Sequence, residues 1–143
     1  MAVLLENETL APEAAPVSFE ERTETQVREI EWADILVGIP SYNNAGTIGH
    51  VVQAVLAGLS KYFPDHRAVL LNSDGGSTDG TPDVVAKVSV DLGGMLITDR
   101  QNFLQRIVTP YKGIPGKGSA FRTIFEVARR LNVKACAVVD SDL

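Results

Sequence analysis

The feature that most constrains the fold is an alternation of short apolar runs with segments of helical periodicity. Residues 34–39 and 68–71 are short apolar runs that predict buried strands. Between them, apolar residues recur at the spacing of one helix face: Ile48, Val51, Val52, Val55, Leu56 and Leu59. Because strands that alternate with amphipathic helices form βαβ units, the sequence predicts an α/β fold. We expect a doubly wound, mostly parallel sheet with helices on both faces.

Further segments continue this alternation. Thr81 followed by Pro82 is typical of a helix start. Another helix is predicted after the loop of residues 113–118, with its apolar residues on one face: Phe121, Ile124, Phe125, Ala128 and Leu131. Residues 95–97 and 106–109 are candidate short strands. Residues 135–139 predict a last buried strand, in which Cys136 would be a core residue.

Residues 1–33 differ from the rest of the chain. They contain eight glutamates, and their apolar residues are scattered. Ser18 and Glu21 have the spacing of a capping box, which predicts a helix from Phe19 to Trp32. We therefore divide the chain into an N-terminal extension, residues 1–33, that is partly helical or loosely ordered, and a domain over residues 34–143.

Charge and cysteine content exclude several classes of protein. The chain has 13 Lys and Arg against 18 Asp and Glu, a net charge of −5, which argues against a nucleic-acid partner or an anionic membrane surface. Its single cysteine cannot form an internal disulfide. No apolar run reaches the roughly 18 residues of a membrane span, and the N-terminus lacks the basic start of a signal peptide. We expect a cytoplasmic protein without a membrane span.

Polar loops follow three of the predicted strands. They comprise residues 41–46, 72–80 and 140–142. In an open parallel sheet the carboxyl ends of the strands border the ligand crevice. The sequence therefore predicts that the three loops meet at one edge of the sheet and form a binding site there.

The last of these loops contains two carboxylates, Asp140 and Asp142, separated by Ser141. At the mouth of a buried strand the two carboxylates repel each other unless a cation neutralises them. A Mg²⁺ or Mn²⁺ ion that bridges them to a diphosphate would do so, because these ions favour one or two carboxylates plus phosphate oxygens. The same residues also suit a turn or a helix cap, and the two interpretations stay open.

The other loops are open to two interpretations as well. Asp74 and Ser77 are candidates for hydrogen bonds to a nucleotide base or ribose, or else for holding a strand-to-helix turn, whereas for Asp79 we favour the turn. Lys117 precedes a predicted helix, where it would bind a diphosphate or be a solvated lysine. The glycine spacing around it is not that of a P-loop. Tyr42 would stack on a base or pack against the domain.

The motifs together resemble the nucleotide-sugar-binding half of GT-A glycosyltransferases of family 2. They are Ile-Pro-Ser-Tyr-Asn at 39–43, Asp-Gly-Gly-Ser-Thr-Asp-Gly-Thr at 74–81 and Asp-Ser-Asp at 140–142. Pro-Gly-Lys-Gly at 115–118, before the helix that leads to 139–143, is similar to family 81. That family comprises the retaining glucosyl-3-phosphoglycerate synthases and the related glucosylglycerate and mannosylglycerate synthases. The resemblance covers residues 34–143 and implies a Rossmann-like GT-A sheet.

The resemblance implies nucleotide-sugar-binding roles at particular positions. Pro40 and Tyr42 would flank the base, and Asn44 would lie near the nucleotide. Ser77 would contact the nucleoside, and Lys117 the base or the diphosphate. Many family 2 members have two consecutive aspartates where this chain has Asp74 and a glycine, so the donor is expected to be linked to UDP or to GDP.

At the third motif, the resemblance implies that Asp140 and Ser141 hold the ribose and the metal, with Asp142 as the principal metal ligand. The expected activity is metal-dependent transfer of a sugar, with retention, from a nucleotide diphosphate sugar to a small hydroxyl acceptor such as glycerate or 3-phosphoglycerate. No catalytic residue is assigned. Since the sequence ends at Leu143, directly after this motif, we expect a donor-binding half that is inactive alone.

Two other functions remain as alternatives. A sugar nucleotidyltransferase also combines an α/β nucleotide site with paired acids, although it usually has a basic glycine-rich loop after the first strand. A non-catalytic nucleotide-binding module would keep the site without the chemistry. The sequence is compatible with a homo-oligomer in each case.

Overall fold

The structure is a computed structural model that describes residues 20–88, 104–110 and 117–142. Within them the helices and strands follow one another in the order α1 (Glu21–Ile30), β1 (Ile35–Ser41), α2 (Ile48–Tyr62), β2 (Ala68–Asp74), α3 (Thr81–Lys87), β3 (Leu104–Thr109), α4 (Lys117–Arg130) and β4 (Ala135–Val138). None of these helices has the length and apolar character needed to cross a membrane. The candidate strand over residues 95–97 lies outside the described residues.

The four strands form one parallel sheet in the order β3-β2-β1-β4. This confirms the predicted α/β fold with a parallel sheet. From β1 the chain winds outward through β2 to β3 and then returns to the other side of β1 to form β4. The strand order thus reverses between β1 and β4, and in sheets of this kind a ligand crevice lies outside the carboxyl ends of the strands at such a switch point.

Helices cover both faces of the sheet because side chains alternate along each strand. On one face, residues of α1 and α4 pack with Leu36, Val69, Leu71 and Ile107 of the strands. On the other face, residues of α2 and α3 pack with Ile39 and Leu70. Two apolar layers therefore hold the sheet between helices, as the sequence predicts.

Helix α1 confirms the helix predicted near residues 19–32, at shorter length. Its buried residues are Thr23, Val27 and Ile30, of which Val27 and Ile30 belong to the same apolar layer as α4. The Arg130 side chain of α4 also pairs with Glu24, with 2.6 Å between Nη1 and Oε1. These buried positions and the ion pair attach the short helix to the face of the sheet that α4 covers. Residues 1–19 of the predicted extension lie outside the described residues.

The prediction that residues 135–139 form a buried strand is wrong in its burial. All four residues of β4 are exposed, and Cys136 is exposed rather than a core residue. Within the described part of the chain, β4 is an edge strand that pairs with β1 alone. Helix α4 packs over β1 and β2 instead of over β4. An apolar run indicates a strand, but its burial depends on which neighbours cover it.

Helix α4 lies directly against the backbone of β1 at Gly38. A Cβ atom built at this position would lie 2.5 Å from Ile124 Cγ2 and 2.8 Å from Ile124 Cδ1. Ile124 is fully buried, so its side chain has little freedom to move aside. The glycine therefore sets how closely α4 approaches the sheet.

The Gly38→Ala substitution is expected to lower the free energy of unfolding by about 1–3 kcal/mol, because the added methyl group overpacks the contact with Ile124. Chemical denaturation followed by circular dichroism measures the change. Gly58, inside α2, has no heavy atom within 4 Å of a built Cβ. As the matched control, Gly58→Ala is expected to stabilise the protein by about 0.5–1 kcal/mol through helix propensity. Equal effects of the two variants would contradict this role of Gly38.

Candidate functional site

Three loops meet at the carboxyl edge of the sheet, as the sequence predicts. We call them L1 (residues 42–47, after β1), L2 (residues 75–80, after β2) and L4 (residues 139–142, after β4). Asn44 joins L1 to L4, since its Oδ1 accepts a hydrogen bond of 2.7 Å from Ser141 Oγ. Thr47 Oγ1 donates to the Ser141 carbonyl over 2.7 Å. These two bonds connect the loops on either side of the topological switch point.

Thr47 occupies the N-cap position of α2, yet its side chain makes no capping hydrogen bond. The hydroxyl donates instead to Ser141 of L4. Ser141 is itself fully buried although its neighbours in L4 are exposed. Its position between the two aspartates therefore anchors L4 to the start of α2 and leaves the flanking carboxylates at the surface.

L1 and L2 are joined mainly through L2 side chains that bind the L1 backbone. The Asn43 N–H donates to Ser77 Oγ over 2.8 Å, and the Ala45 N–H donates to Asp79 Oδ2 over 3.1 Å. Asn43 in turn accepts the Thr78 N–H at its Oδ1 over 2.8 Å. Asp79 Oδ1 also accepts the Thr81 N–H over 3.1 Å within L2 and the start of α3, which agrees with the turn role favoured for Asp79.

Asn43 has no predicted site role of its own in the sequence. Its backbone is in the left-handed region, with a φ of 56°, which asparagine tolerates better than most residues. This tolerance is the signal that identifies it as a turn residue. The turn aims its amide toward L2.

Asp74 ends β2 and is only 6% exposed. Its Oδ1 accepts hydrogen bonds from Ser41 Oγ at 3.0 Å and Ser77 Oγ at 2.6 Å, and its Oδ2 accepts from the N–H groups of Gly76 and Ser77 at 3.0 and 2.7 Å. These four bonds use the four lone-pair positions of a carboxylate. Of the two interpretations of Asp74 and Ser77, the arrangement favours the structural one, in which they hold the turn.

A buried polar chain continues below Asp74 into the sheet. Asn72 is fully buried, and its Nδ2 donates to the Ile39 carbonyl at 3.0 Å and to Ser41 Oγ at 2.9 Å. Among the described residues its Oδ1 has no hydrogen-bond partner. The sequence pattern predicts a polar loop over residues 72–80, whereas Asn72 lies inside β2. Asn72 is two residues after Leu70, and this spacing is the signal that places it on the same face of the sheet as Leu70, the face of α2 and α3.

The remaining predicted nucleotide residues differ in accessibility. Pro40 lies inside β1, opposite Ser73 in register, and is buried. Tyr42 is 40% exposed at the start of L1, and its backbone N–H donates to Asn44 Oδ1 over 2.8 Å. Of these two residues, Tyr42 is therefore accessible to a ligand, whereas Pro40 is not.

Lys117 lies between the two carboxylates of L4. Its Nζ is 3.0 Å from Asp140 Oδ1 and 3.8 Å from Asp142 Oδ2. The hydrogen bond from Lys117 is the largest cause that lowers the pKa of Asp140 below its ordinary value. The chain thus supplies a cation that offsets the repulsion between the aspartates, and it places this cation at the first residue of α4.

Asp140 and Asp142 supply two of the oxygen ligands that a divalent ion would need. Their oxygens converge on one cation position, as the lysine contacts show, and both side chains are 55% exposed. Within residues 20–88, 104–110 and 117–142, no group of three or more His, Cys, Asp and Glu side chains is placed to hold a metal. A Mg²⁺ or Mn²⁺ held by Asp140 and Asp142 would need its other oxygen ligands from water and from a bound phosphate.

The Asp74→Asn substitution is expected to lower the free energy of unfolding by about 1.5–3 kcal/mol, because an amide group would face some of the donors that now bind a charged acceptor. Denaturation measures the loss, and hydrogen exchange of the Gly76 and Ser77 amides should accelerate. Asp65, exposed in the turn before β2, provides the control: Asp65→Asn should change stability by less than about 0.5 kcal/mol. Unchanged hydrogen exchange of these two amides in Asp74→Asn would contradict the role of Asp74 in holding the turn.

The Lys117→Met substitution is expected to raise the pKa of Asp140 toward its ordinary value, because the principal hydrogen bond that lowers it is lost. In the wild type, the Lys117–Asp140 pair stabilises the folded state at pH values above the ordinary carboxyl pKa. This stabilisation is lost as the pH falls through the lowered pKa of folded Asp140. An NMR titration of the Asp140 carboxyl carbon measures the shift. Lys134→Met, which removes a lysine from Asp34 instead, should leave this titration unchanged, and an equal shift in both variants would refute the assignment.

Comparisons with known proteins do not add to this description. No family model matches the chain, and no curated protein matches it. The functional interpretation therefore depends on the geometry of the three loops and on the sequence motifs that form them.

Proposed function

We propose that the chain is the donor-binding region of a metal-dependent GT-A glycosyltransferase. In this proposal it binds a nucleotide diphosphate sugar, and the sugar is transferred with retention to a small hydroxyl acceptor such as glycerate or 3-phosphoglycerate. The observation that carries the proposal is the junction of L1 and L4 at the switch point of the sheet. Asn44 and Thr47 bind Ser141 there, which leaves Asp140 and Asp142 beside the crevice.

The nucleoside would lie along L1. Tyr42 offers an exposed ring on which a base can stack, and it is the one aromatic residue in the three loops. Asn44 Oδ1 accepts hydrogen bonds from the Tyr42 N–H and from Ser141 Oγ, which would orient the Nδ2 group of the same amide toward a ribose or base. Because all four acceptor positions of Asp74 are already used, Asp74 acts in this proposal by shaping L2 rather than by reading the base. The base therefore stays open between uracil and guanine.

The diphosphate would lie between L4 and the N-terminus of α4. The first-turn N–H groups of this 14-residue helix favour an anion, and the ammonium of Lys117 does so as well. Asp140 and Asp142 would hold a Mg²⁺ or Mn²⁺, which when bound would offset the negative charge that develops on the leaving diphosphate. The chain's own residues thus bind and orient the donor, and no general base or nucleophile is assigned among them.

Two alternative functions would use the same site. A sugar nucleotidyltransferase would use a basic loop after the first strand, but L1 contains no lysine or arginine. A non-catalytic nucleotide-binding module would bind the same ligands as the proposed transferase. Transfer of sugar by a protein that contains this region distinguishes the transferase from that module.

Calorimetric titration of the chain with UDP-glucose and with GDP-mannose, with and without Mn²⁺, tests the proposal. We expect Mn²⁺-dependent binding of one of the two. The Asp142→Ala substitution should weaken it by at least about tenfold, since the loss of even an outer-shell partner of a metal typically costs that much.

Asp65→Ala is the control for this titration, because Asp65 is an exposed carboxylate in the turn before β2, at the opposite end of the sheet. It should bind the donor as the wild type does. If neither nucleotide sugar binds to the folded wild-type chain, the proposal is refuted. Binding that is indifferent to Mn²⁺ and to Asp142→Ala would refute its metal-dependent part.

A further inference from the structure

Lys117 occupies the position that a divalent cation at L4 would need. Its ammonium is 3.0 Å from Asp140 Oδ1 and 3.8 Å from Asp142 Oδ2, so both carboxylates point at one cation. A Mg²⁺ ion bound to the same oxygens would lie about 2.1 Å from each of them. Such an ion would compete with the ammonium for the same two oxygens, and the like charges would repel each other. Binding of one cation therefore opposes binding of the other at this pair.

We propose that Lys117 and a divalent cation exchange at Asp140 and Asp142, so that the arriving cation releases the lysine toward the bound diphosphate. The release toward diphosphate rests on the function proposed above. The exchange itself requires only the cation and the three side chains of Lys117, Asp140 and Asp142.

The side chain of Lys117 can move while its backbone stays in place. Helix α4 is fixed against β1 by the contact of buried Ile124 with Gly38, two turns after Lys117. The lysine side chain is 33% exposed and has a flexible four-carbon stem. Its charge can therefore leave the carboxylates and remain beside the N-terminus of α4. There it would add to the positive end of the helix.

The exchange changes the charge of the site. Two carboxylates and one ammonium have a formal charge of −1, which opposes a diphosphate. A divalent cation neutralises the two carboxylates, so the sum of these groups rises to +1, and the released ammonium then faces the ligand. The cation would therefore prepare the site for the nucleotide, and Lys117 would hold the two carboxylates in position before the cation arrives.

Titration of the chain with Mn²⁺ alone, followed by the electron paramagnetic resonance signal of free Mn²⁺, tests the exchange. We expect Lys117→Met to bind Mn²⁺ about three- to tenfold more tightly than the wild type, the range that corresponds to losing one or two partly exposed ion pairs. Lys117→Gln is measured beside it as a polar neutral variant, and circular dichroism checks that both are folded.

Lys134→Met is the matched control, because it removes the same charge from another lysine–aspartate pair. Lys134 Nζ lies 3.4 Å from Asp34 Oδ1, at the amino end of β1 and β4. Its Mn²⁺ affinity should equal that of the wild type. The exchange is overturned if the Lys117 variants bind Mn²⁺ no more tightly than the wild type, if neither they nor the wild type bind it, or if Lys134→Met gains as much.

A second titration, with UDP-glucose and GDP-mannose at saturating Mn²⁺, separates this inference from the proposed function. Lys117→Met should bind the nucleotide sugar more weakly than the wild type although it binds Mn²⁺ more tightly. Unchanged nucleotide binding in this variant overturns the release toward diphosphate. If Mn²⁺ binding responds to Lys117 as expected but no nucleotide sugar binds to the wild type, the proposed function fails and the lysine–cation exchange stands.

Discussion

The contact between Ile124 and Gly38 is the constraint on which the rest of the site depends. It brings α4 so close to β1 that a single methyl group at residue 38 would collide with the helix. Since α4 begins at Lys117, this packing determines where the backbone of that lysine lies. The ion pairs with Asp140 and Asp142 thus depend on an apolar contact two helical turns away, which keeps Lys117 within reach of both carboxylates.

The polar edge of the sheet has an inner and an outer part. The inner part consists of side chains whose hydrogen bonds are internal: Ser41, Asn72, Asp74 and Ser77. The outer part consists of groups that remain exposed around the crevice, namely Tyr42, Lys117, Asp140 and Asp142. Buried polar groups that satisfy one another make the loops rigid, and rigid loops hold the exposed groups at fixed separations. The candidate site is therefore the outer part, supported by the inner part.

Sequence reasoning located the loops well and the contacts within them less well. It identified the strands that precede L1, L2 and L4, because apolar runs and helical periodicity are local signals, but it ended β1 and β2 two to three residues early. It left two interpretations of Asp74 open, because four donors from three residues converge on that carboxylate only after folding. It did not single out Asn43, whose left-handed backbone is a property of the folded turn. The exposure of Cys136 also depends on which strands and helices adjoin β4.

The sequence by itself determined the elements of this protein, the parallel sheet and the set of polar residues at the strand ends. Periodicity and turn chemistry act over a few residues, so they can be read along the chain. Only the tertiary structure decided which of those residues face one another. The pairing of Lys117 with Asp140 joins residues 23 positions apart, and that of Asn44 with Ser141 joins residues 97 positions apart. Such pairings arise from the strand order and from the packing of α4 on β1, which no local pattern encodes.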